Sequence, residues 1–164
     1  MTDNSKTPGK LLFEKLAINL DEVPFEQVPD YTAVEYFLTC EDEPSSDADN
    51  LDKIKRYLEA SEHLYKIEDW NRAKEIIIFP LPLNGITETK IYLQLGSWGF
   101  YKEQIELCNK MLNKVDKETD SFFLNALSIV YMYLGDYQKV IDYNEQFLVI
   151  AEQITNLFFD STVV

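Results

Sequence analysis

Residues 124–143 read LNALSIVYMYLGDYQKVIDY, and this stretch decides the fold. Apolar side chains recur every three or four positions up to Leu134, which predicts a helix. Gly135 and Asp136 then form a small and acidic break in the pattern. Helical spacing resumes after Tyr137. The stretch therefore predicts two helices joined by a short turn.

A similar junction occurs at two earlier places, LYKIEDWNRA at residues 64–73 and LGSWGFYKEQ at residues 95–104. In each copy an apolar helix end meets a small or acidic break, and an aromatic residue follows. Three residues later comes a side chain that points back at the first helix. The equivalent positions 64, 95 and 131 are 31 and 36 residues apart. A recurring unit of this length indicates a helical repeat protein.

The third copy resembles the tetratricopeptide repeat, whose unit is about 34 residues long. The signature large and small positions are occupied by Leu127, Ser128, Tyr131, Gly135, Asp136, Tyr137 and Val140. Val140 and Phe147 replace residues that are small in the family, which predicts a wider helix crossing near the C-terminus. In the second copy, residues 98–107 resemble a phrase of bacterial, notably cyanobacterial, repeat arrays. The resemblance covers about residues 51–155 and implies an all-α, short right-handed solenoid of about three degenerate helical hairpins.

Helical periodicity is continuous from Leu51 onward, and no later segment alternates with period two. We therefore divide the chain into residues 1–50, a polar tail with short capping helices and an acidic loop, and residues 51–164, the repeat domain. In the first part, we expect Pro8-Gly9 to end a frayed tail, Lys10–Leu20 to form a helix, Pro24 and Pro29 to break the chain, and Tyr31–Thr39 to be either helix or strand. In the second, we expect helices from Leu51 to about Ile67, from Asp69 to before Pro80, and over Thr87–Trp98, Tyr101–Val115, Asp120–Leu134 and Asp136 to about Thr155.

The formal net charge is −14, from 29 acidic and 15 basic residues. Such a chain repels phosphate backbones and anionic lipid surfaces, so neither nucleic acid nor a membrane is an expected partner. A basic protein would be attracted; the other explanation of the charge is solubility alone. The first residues lack an apolar signal-peptide core, and no run approaches the roughly 20 apolar residues of a membrane span. We expect a soluble cytoplasmic protein with reduced thiols.

No combination of residues predicts catalysis. Cys40, Cys108 and the single His63 lack the spacing of a zinc site or of a nucleophile with its base, and His63 is expected at the surface. The acidic run 47–52 falls short of a calcium loop because Leu51 replaces an oxygen ligand and no glycine allows the sharp turn. Glycine motifs that bind phosphate are missing as well. We therefore expect neither an enzyme nor a bound cofactor or metal.

The resemblance to the tetratricopeptide repeat also implies a groove lined by the first helix of each hairpin. The residues at the family's groove positions are Leu58, Glu59, Glu62, Tyr65 and Lys66 in the first repeat, Lys90, Leu93 and Ser97 in the second, and Asn125, Ile129, Met132 and Tyr133 in the third. Glu59 and Glu62 oppose an anionic C-terminal tail of the kind that chaperone-binding members clamp. A mixed apolar and basic segment is therefore the preferred ligand.

The C-terminal end lacks the polar helix that usually covers the last apolar face of a repeat array. It carries Leu157, Phe158 and Phe159 instead. Either these residues fold back as a plug, or the last helix packs against another chain, which could be a partner or a second copy.

The leading function is a non-catalytic adaptor or scaffold that binds a partner protein through the groove or the C-terminal face. The alternative is an acidic inhibitor or regulatory subunit. It would block a basic or nucleic-acid-binding site through the carboxylates of residues 41–52.

Overall fold

The computed structural model describes residues 6–40, 48–81 and 89–160, apart from the side chains of residues 157–160. Most of these residues are helical, in agreement with the predicted all-α class. The chain divides into two compact units, Met1–Gln94 (unit 1) and Leu95–Val164 (unit 2), and the boundary falls inside a helix.

The described part of unit 1 contains helices, a 3-10 turn and a very short antiparallel ladder. The elements are α1 (Pro8–Leu16), the 3-10 turn (Phe25–Gln27), α2 (Val28–Thr39), α3 (Asn50–Lys66), α4 (Trp70–Ile77), β1 (Pro80–Leu81) and β2 (Thr89–Lys90). Along the chain, α1 packs on α2, α2 on α3, and α3 on α4. Fully buried aliphatic side chains from all four helices form the core, among them Leu12, Val34, Leu38, Ile54, Leu64 and Ile76.

Prolines lie at the beginning of the first two helices, although Pro29 is predicted to break the chain. Pro8 and Pro29 occupy the first two positions of α1 and α2, where backbone N–H groups have no helical partner and proline is tolerated. The prediction that Pro8-Gly9 ends a tail is therefore wrong. Gly9 is buried because α1 crosses α2 closely: a Cβ at Gly9 would lie 2.1 Å from the carbonyl oxygen of Leu38.

Short polar side chains fix where three helices of unit 1 begin. Thr7, Asp49 and Asp69 each accept a hydrogen bond from the backbone N–H three residues later, at 3.3, 2.9 and 3.2 Å. Asp49 is therefore the N-cap of α3. The ambiguous segment 31–39 is helical and belongs to α2.

The helices of unit 2 are α6 (Tyr101–Met111), α7 (Lys117–Leu134) and α8 (Tyr137–Asp160), while α5 (Ile91–Ser97) crosses the unit boundary. α6 packs on α7, and α7 packs on α8. The core includes Leu107, Cys108, Met111, Phe123, Leu127 and Val130.

The predicted helices of the second half have different limits in the structure: α7 begins at Lys117 instead of Asp120, and α8 ends at Asp160 instead of about Thr155. α5 starts at Ile91 instead of Thr87, because Thr89 and Lys90 pair with Leu81 and Pro80 in the ladder. α6 ends at Met111 instead of Val115, since Asn113 adopts a left-handed backbone with φ 62°. α7 then begins at Lys117, where the Asp116 side chain accepts the N–H of Thr119 at 2.7 Å.

The three junctions aligned by sequence share one backbone geometry. In each, a residue in the left-handed region ends the helix: Glu68 (φ 59°), Gly99 (φ 84°) and Gly135 (φ 76°). The N–H of the following residue donates to the carbonyl oxygen five positions back, at 3.0, 2.9 and 3.0 Å, in the pairs Asp69–Leu64, Phe100–Leu95 and Asp136–Tyr131. This is the hydrogen bond of a Schellman helix end. The next helix then starts with an aromatic residue, Trp70, Tyr101 or Tyr137.

The shared geometry predicts that glycine stabilises the protein at the junctions and destabilises it in the middle of a helix. Glu68→Gly should raise the free energy of unfolding by about 0.5–1 kcal/mol. A residue with a Cβ is strained in the left-handed region, and removal of this strain outweighs the conformational entropy that glycine adds to the unfolded chain. Gly135→Ala should lower it by a similar amount, since a Cβ there meets nothing within 4 Å and only the backbone conformation is penalised. Urea denaturation followed by circular dichroism measures both.

Glu106→Gly is the matched control, because Glu106 is exposed in the middle of α6 with ordinary helical geometry. It should destabilise the protein by about 1 kcal/mol. A destabilised Glu68→Gly protein would contradict the equivalence of the three junctions.

Candidate interaction surface

Exposed large apolar side chains concentrate on α7 and α8. Of the eleven found in the described part of the chain, eight lie between residues 129 and 149. They are Ile129, Met132, Tyr133, Leu134, Tyr137, Ile141, Leu148 and Val149, and together we call them the α7–α8 apolar surface. The other three, Leu11, Phe25 and Tyr36, are in unit 1 and are separated from one another in sequence. A concentration of this kind is typical of interaction surfaces.

The α7 part of this surface contains the groove positions predicted for the third repeat. Asn125, Ile129, Met132 and Tyr133 follow the spacing i, i+4, i+7 and i+8, so they share one face of the helix, and all four are exposed. The Tyr133 ring stacks on that of Tyr101 with centroids 5.9 Å apart and planes 7° apart. This contact gives the exposed tyrosine a defined orientation.

The α8 part has two apolar sides. One consists of the half-buried residues Val140, Tyr143, Phe147, Ile150 and Ile154, at the spacing of three and four residues that suits packing along α7. The Tyr143 ring stacks on Tyr131 of α7 at 5.6 Å. The other side carries the exposed Tyr137, Ile141 and Leu148. No residue of α8 through Asn156 is fully buried.

The last predicted interface residues continue α8. Leu157, Phe158 and Phe159 lie within this helix, which runs without interruption to Asp160. The expected alternative that they fold back as a plug is therefore wrong for the backbone. Their side chains lie outside the described part of the structure.

Exposed carboxylates accompany the apolar residues of α8. Asp142, Glu145 and Glu152 are exposed, and Lys139 is the basic residue between Tyr137 and Asn156. Its ammonium lies 3.3 Å from Asp136 and 4.4 Å from the ring centre of Tyr131, and the hydrogen bond to Asp136 raises the pKa of Lys139. The positive charge is thus already partly neutralised, and the outer side of α8 is acidic.

The groove residues predicted for the earlier repeats have other environments. Tyr65 is buried and stacks on Trp70 with centroids 5.5 Å apart, so it offers little surface to a partner. Leu58, Glu59 and Leu93 are half-buried, whereas Glu62 and Ser97 are exposed. Lys90 lies in β2 rather than on a helix, and Lys66 forms an ion pair.

A buried carboxylate organises the contact between α2 and α3, and the sequence did not indicate it. Asp30 is only 5% exposed, and its Oδ1 lies 2.8 Å from Nδ1 of His63 and 2.9 Å from the ammonium of Lys66. The hydrogen bond from His63 is the main cause that lowers the pKa of Asp30, with a further contribution from Lys66. His63 was expected at the surface, but it is half-buried and serves this contact.

Arg72 forms a second polar contact in unit 1. Its Nη1 donates to Asp69 at 2.8 Å, and the hydroxyl of Tyr31 donates to the same carboxylate oxygen at 2.8 Å. Its Nε donates to the carbonyl of Leu16 at 2.8 Å, at the end of α1. The guanidinium therefore satisfies a helix-end carbonyl that has no partner inside the helix. Both polar clusters connect helices, and neither assembles a recognisable set of catalytic groups.

Within the described ranges, no three His, Cys, Asp or Glu side chains come close enough to hold a metal ion. None of the described helices has both the length and the apolar character needed to cross a bilayer. The chain matches no protein-family model, no curated protein and no solved structure.

The Asp30 contact predicts a pH-dependent stability. Its lowered pKa means that the ionised carboxylate stabilises the fold above about pH 4 and that this contribution disappears as the pH falls through the folded-state pKa. Asp30→Asn should lower the free energy of unfolding by about 1 kcal/mol at neutral pH, a modest value because Lys66 is largely exposed. The difference from wild type should shrink toward zero in acid.

Urea denaturation at neutral and acidic pH measures this difference. Glu26→Gln, which removes an exposed carboxylate from the same unit, controls for the change in net charge. A deficit of Asp30→Asn that is equally large at both pH values would show that the ionised contact is not the cause.

The thiol of Cys108 should be inert in the native protein. It is fully buried, and burial raises its pKa from 9.0 to about 12. Near pH 8 this leaves about a thousandfold less thiolate than an unperturbed cysteine has. In a Cys40→Ser variant, iodoacetamide should modify Cys108 at least about a thousandfold more slowly in buffer than in concentrated urea. Rapid labelling in buffer would mean that unit 2 opens readily.

Proposed function

We propose that this chain is a non-catalytic adaptor whose α7–α8 apolar surface binds a partner protein. The observation that carries the proposal is the concentration of exposed apolar side chains on two neighbouring helices, eight within 21 consecutive residues. Single exposed apolar residues are normal on soluble monomers, whereas a concentration of them usually serves contacts with other molecules.

The form of the surface favours a protein ligand. Tyr133, Tyr137 and Met132 are residue types enriched at protein interfaces, because they offer large contact areas together with polar or adaptable groups. Each is about half exposed or more. The polar residue Asn125 on the same face of α7 supplies hydrogen bonds to a backbone or side chain of the ligand.

The shared geometry of the three junctions supports a tetratricopeptide-type arrangement, in which the first helix of a hairpin contacts the ligand. α7 is the first helix of the last hairpin, and its exposed face carries the groove positions. The free thiols of Cys40 and Cys108 fit a reducing compartment, and we place the adaptor in the cytoplasm.

A comparison of matched variants tests the proposal. Ile129→Ser, Met132→Ser and Tyr133→Ser combined should remove the apolar part of the α7 face without touching the core, since all three residues are exposed. The amounts of the proteins that wild type recovers from native lysate should be at least about tenfold lower with this variant. Quantitative mass spectrometry of the recovered proteins measures the loss. A second triple variant, Tyr137→Ser, Ile141→Ser and Leu148→Ser, shows separately whether α8 takes part.

The chain provides its own control in unit 1. Leu11→Ser, Phe25→Ser and Tyr36→Ser remove a similar amount of exposed apolar surface elsewhere. This control should recover the same partners as wild type. Equal recovery by all variants would contradict the proposal. If only neutralising the carboxylates of residues 41–52 removed the partners, the acidic-inhibitor alternative would replace it.

A further inference from the structure

A cavity of about 250 Å³ lies within unit 2, where the end of α6, the first turns of α7 and the middle of α8 meet. Aliphatic side chains form most of its wall, among them Leu112, Leu124, Val149 and Ile150. The volume is below the roughly 300–1,000 Å³ of pockets for drug-sized molecules. It therefore suits one long side chain or a small ligand rather than a large cofactor.

One carboxylate faces this aliphatic cavity. Asp120 lines it and is only 6% exposed, so its charge is largely withdrawn from water. Its Oδ1 accepts the backbone N–H of Asn113 at 2.7 Å, which holds the left-handed turn between α6 and α7. Among the residues that the structure describes, Asp120 has no cationic partner. Burial of a carboxylate is costly unless a positive charge or several hydrogen bonds compensate.

The geometry of the carboxylate selects among cations. A guanidinium binds carboxylates best through both oxygens, and the N–H of Asn113 already uses one of the two acceptor sites on Oδ1 of Asp120, which makes that arrangement less favourable. An ammonium group acts as a point charge and is satisfied by one oxygen together with neighbouring amide groups. An aliphatic stem of about four carbons would meanwhile lie against the apolar wall.

We propose that this cavity binds a primary ammonium on an aliphatic stem, and that its natural occupant is a lysine side chain of the bound partner. The choice of a lysine side chain as the source rests on the proposed adaptor function. The acidic character of the outer side of α8, with Asp142, Glu145 and Glu152 exposed, favours a basic segment near the cavity. The other source of the same chemistry is a free polyamine.

Small probes test the cavity in the full chain without the partner. n-Butylammonium copies the lysine side chain, and 1-butanol and butyrate are its neutral and anionic counterparts. Titration of each into isotope-labelled protein is followed through the backbone amide signals of Asn113 and Gln146. With n-butylammonium, the changes in these shifts should reach saturation at millimolar concentration. 1-Butanol should need a concentration at least about tenfold higher. Butyrate should leave them unchanged.

Two kinds of variant identify the groups responsible. Asp120→Asn should weaken n-butylammonium binding at least about tenfold while leaving 1-butanol unaffected. Val149→Phe should abolish binding by filling the cavity, and it is tolerable because Val149 is 54% exposed. Leu148→Phe is the matched control, since the neighbouring Leu148 is 58% exposed and lies outside the lining; it should bind as wild type does.

Each outcome decides a separate point. Equal shifts with all three probes, or unchanged binding by Val149→Phe, would show that Asp120 only anchors the turn and that the cavity takes no ammonium. Putrescine binding about tenfold tighter than n-butylammonium would replace the lysine side chain by a polyamine as the source. None of these results depends on the lysate comparison, so failure of the cavity and failure of the adaptor function are distinguishable.

Discussion

The fold depends on a backbone hydrogen bond that spans five residues at the end of three helices. In each case the chain enters the left-handed region for one residue, and the next N–H reaches back to a carbonyl of the last helical turn, at 2.9–3.0 Å. This bond satisfies a carbonyl that the helix itself leaves without a donor. It also fixes the direction in which the chain leaves, and at the first and third junctions the following helix packs on the preceding one, α4 on α3 and α8 on α7. The residue in the left-handed region is a glycine at two junctions and Glu68 at the other.

Equal turns do not bury the following helices equally, because the side chains in the first turn of these helices differ. We compare the residue four positions after the N–H donor of each turn. In the first hairpin this residue is Ala73, which is fully buried. The second has Gln104, also buried, and it fits because its partner position is Gly96: a Cβ there would lie 2.1 Å from Oε1 of Gln104. The third has Val140, which stays half-buried in a helix without any fully buried residue through Asn156. The second helix with the least burial therefore belongs to the hairpin that carries the exposed apolar residues.

Local features of the structure could be predicted from sequence, and contacts between distant residues could not. The junctions were predictable because the break, the aromatic residue and the apolar helix end lie within ten residues. The start of α2 is not predictable in this way, because a proline such as Pro29 suits the first turn of a helix as well as a break in the chain. His63 and Asp30 are 33 residues apart, and no periodicity links them. Tyr65 is predicted to lie in a groove because it stands at a groove position of the tetratricopeptide repeat, but an aromatic with a polar tip suits a core equally well.

The role of the acidic charge could not be predicted from the sequence either, because it depends on where the carboxylates lie in the structure. A net charge of −14 is explained equally well by solubility and by choice of partner. On α8, however, exposed carboxylates accompany exposed Ile141 and Leu148. A second copy meeting this side through a two-fold axis would place like charges against each other, since such an interface is self-complementary. A basic segment meets the same apolar side chains with attraction instead, and its association slows as salt is added. For the proposed adaptor function, the arrangement of charge on this helix is thus an argument for a basic partner rather than a second copy.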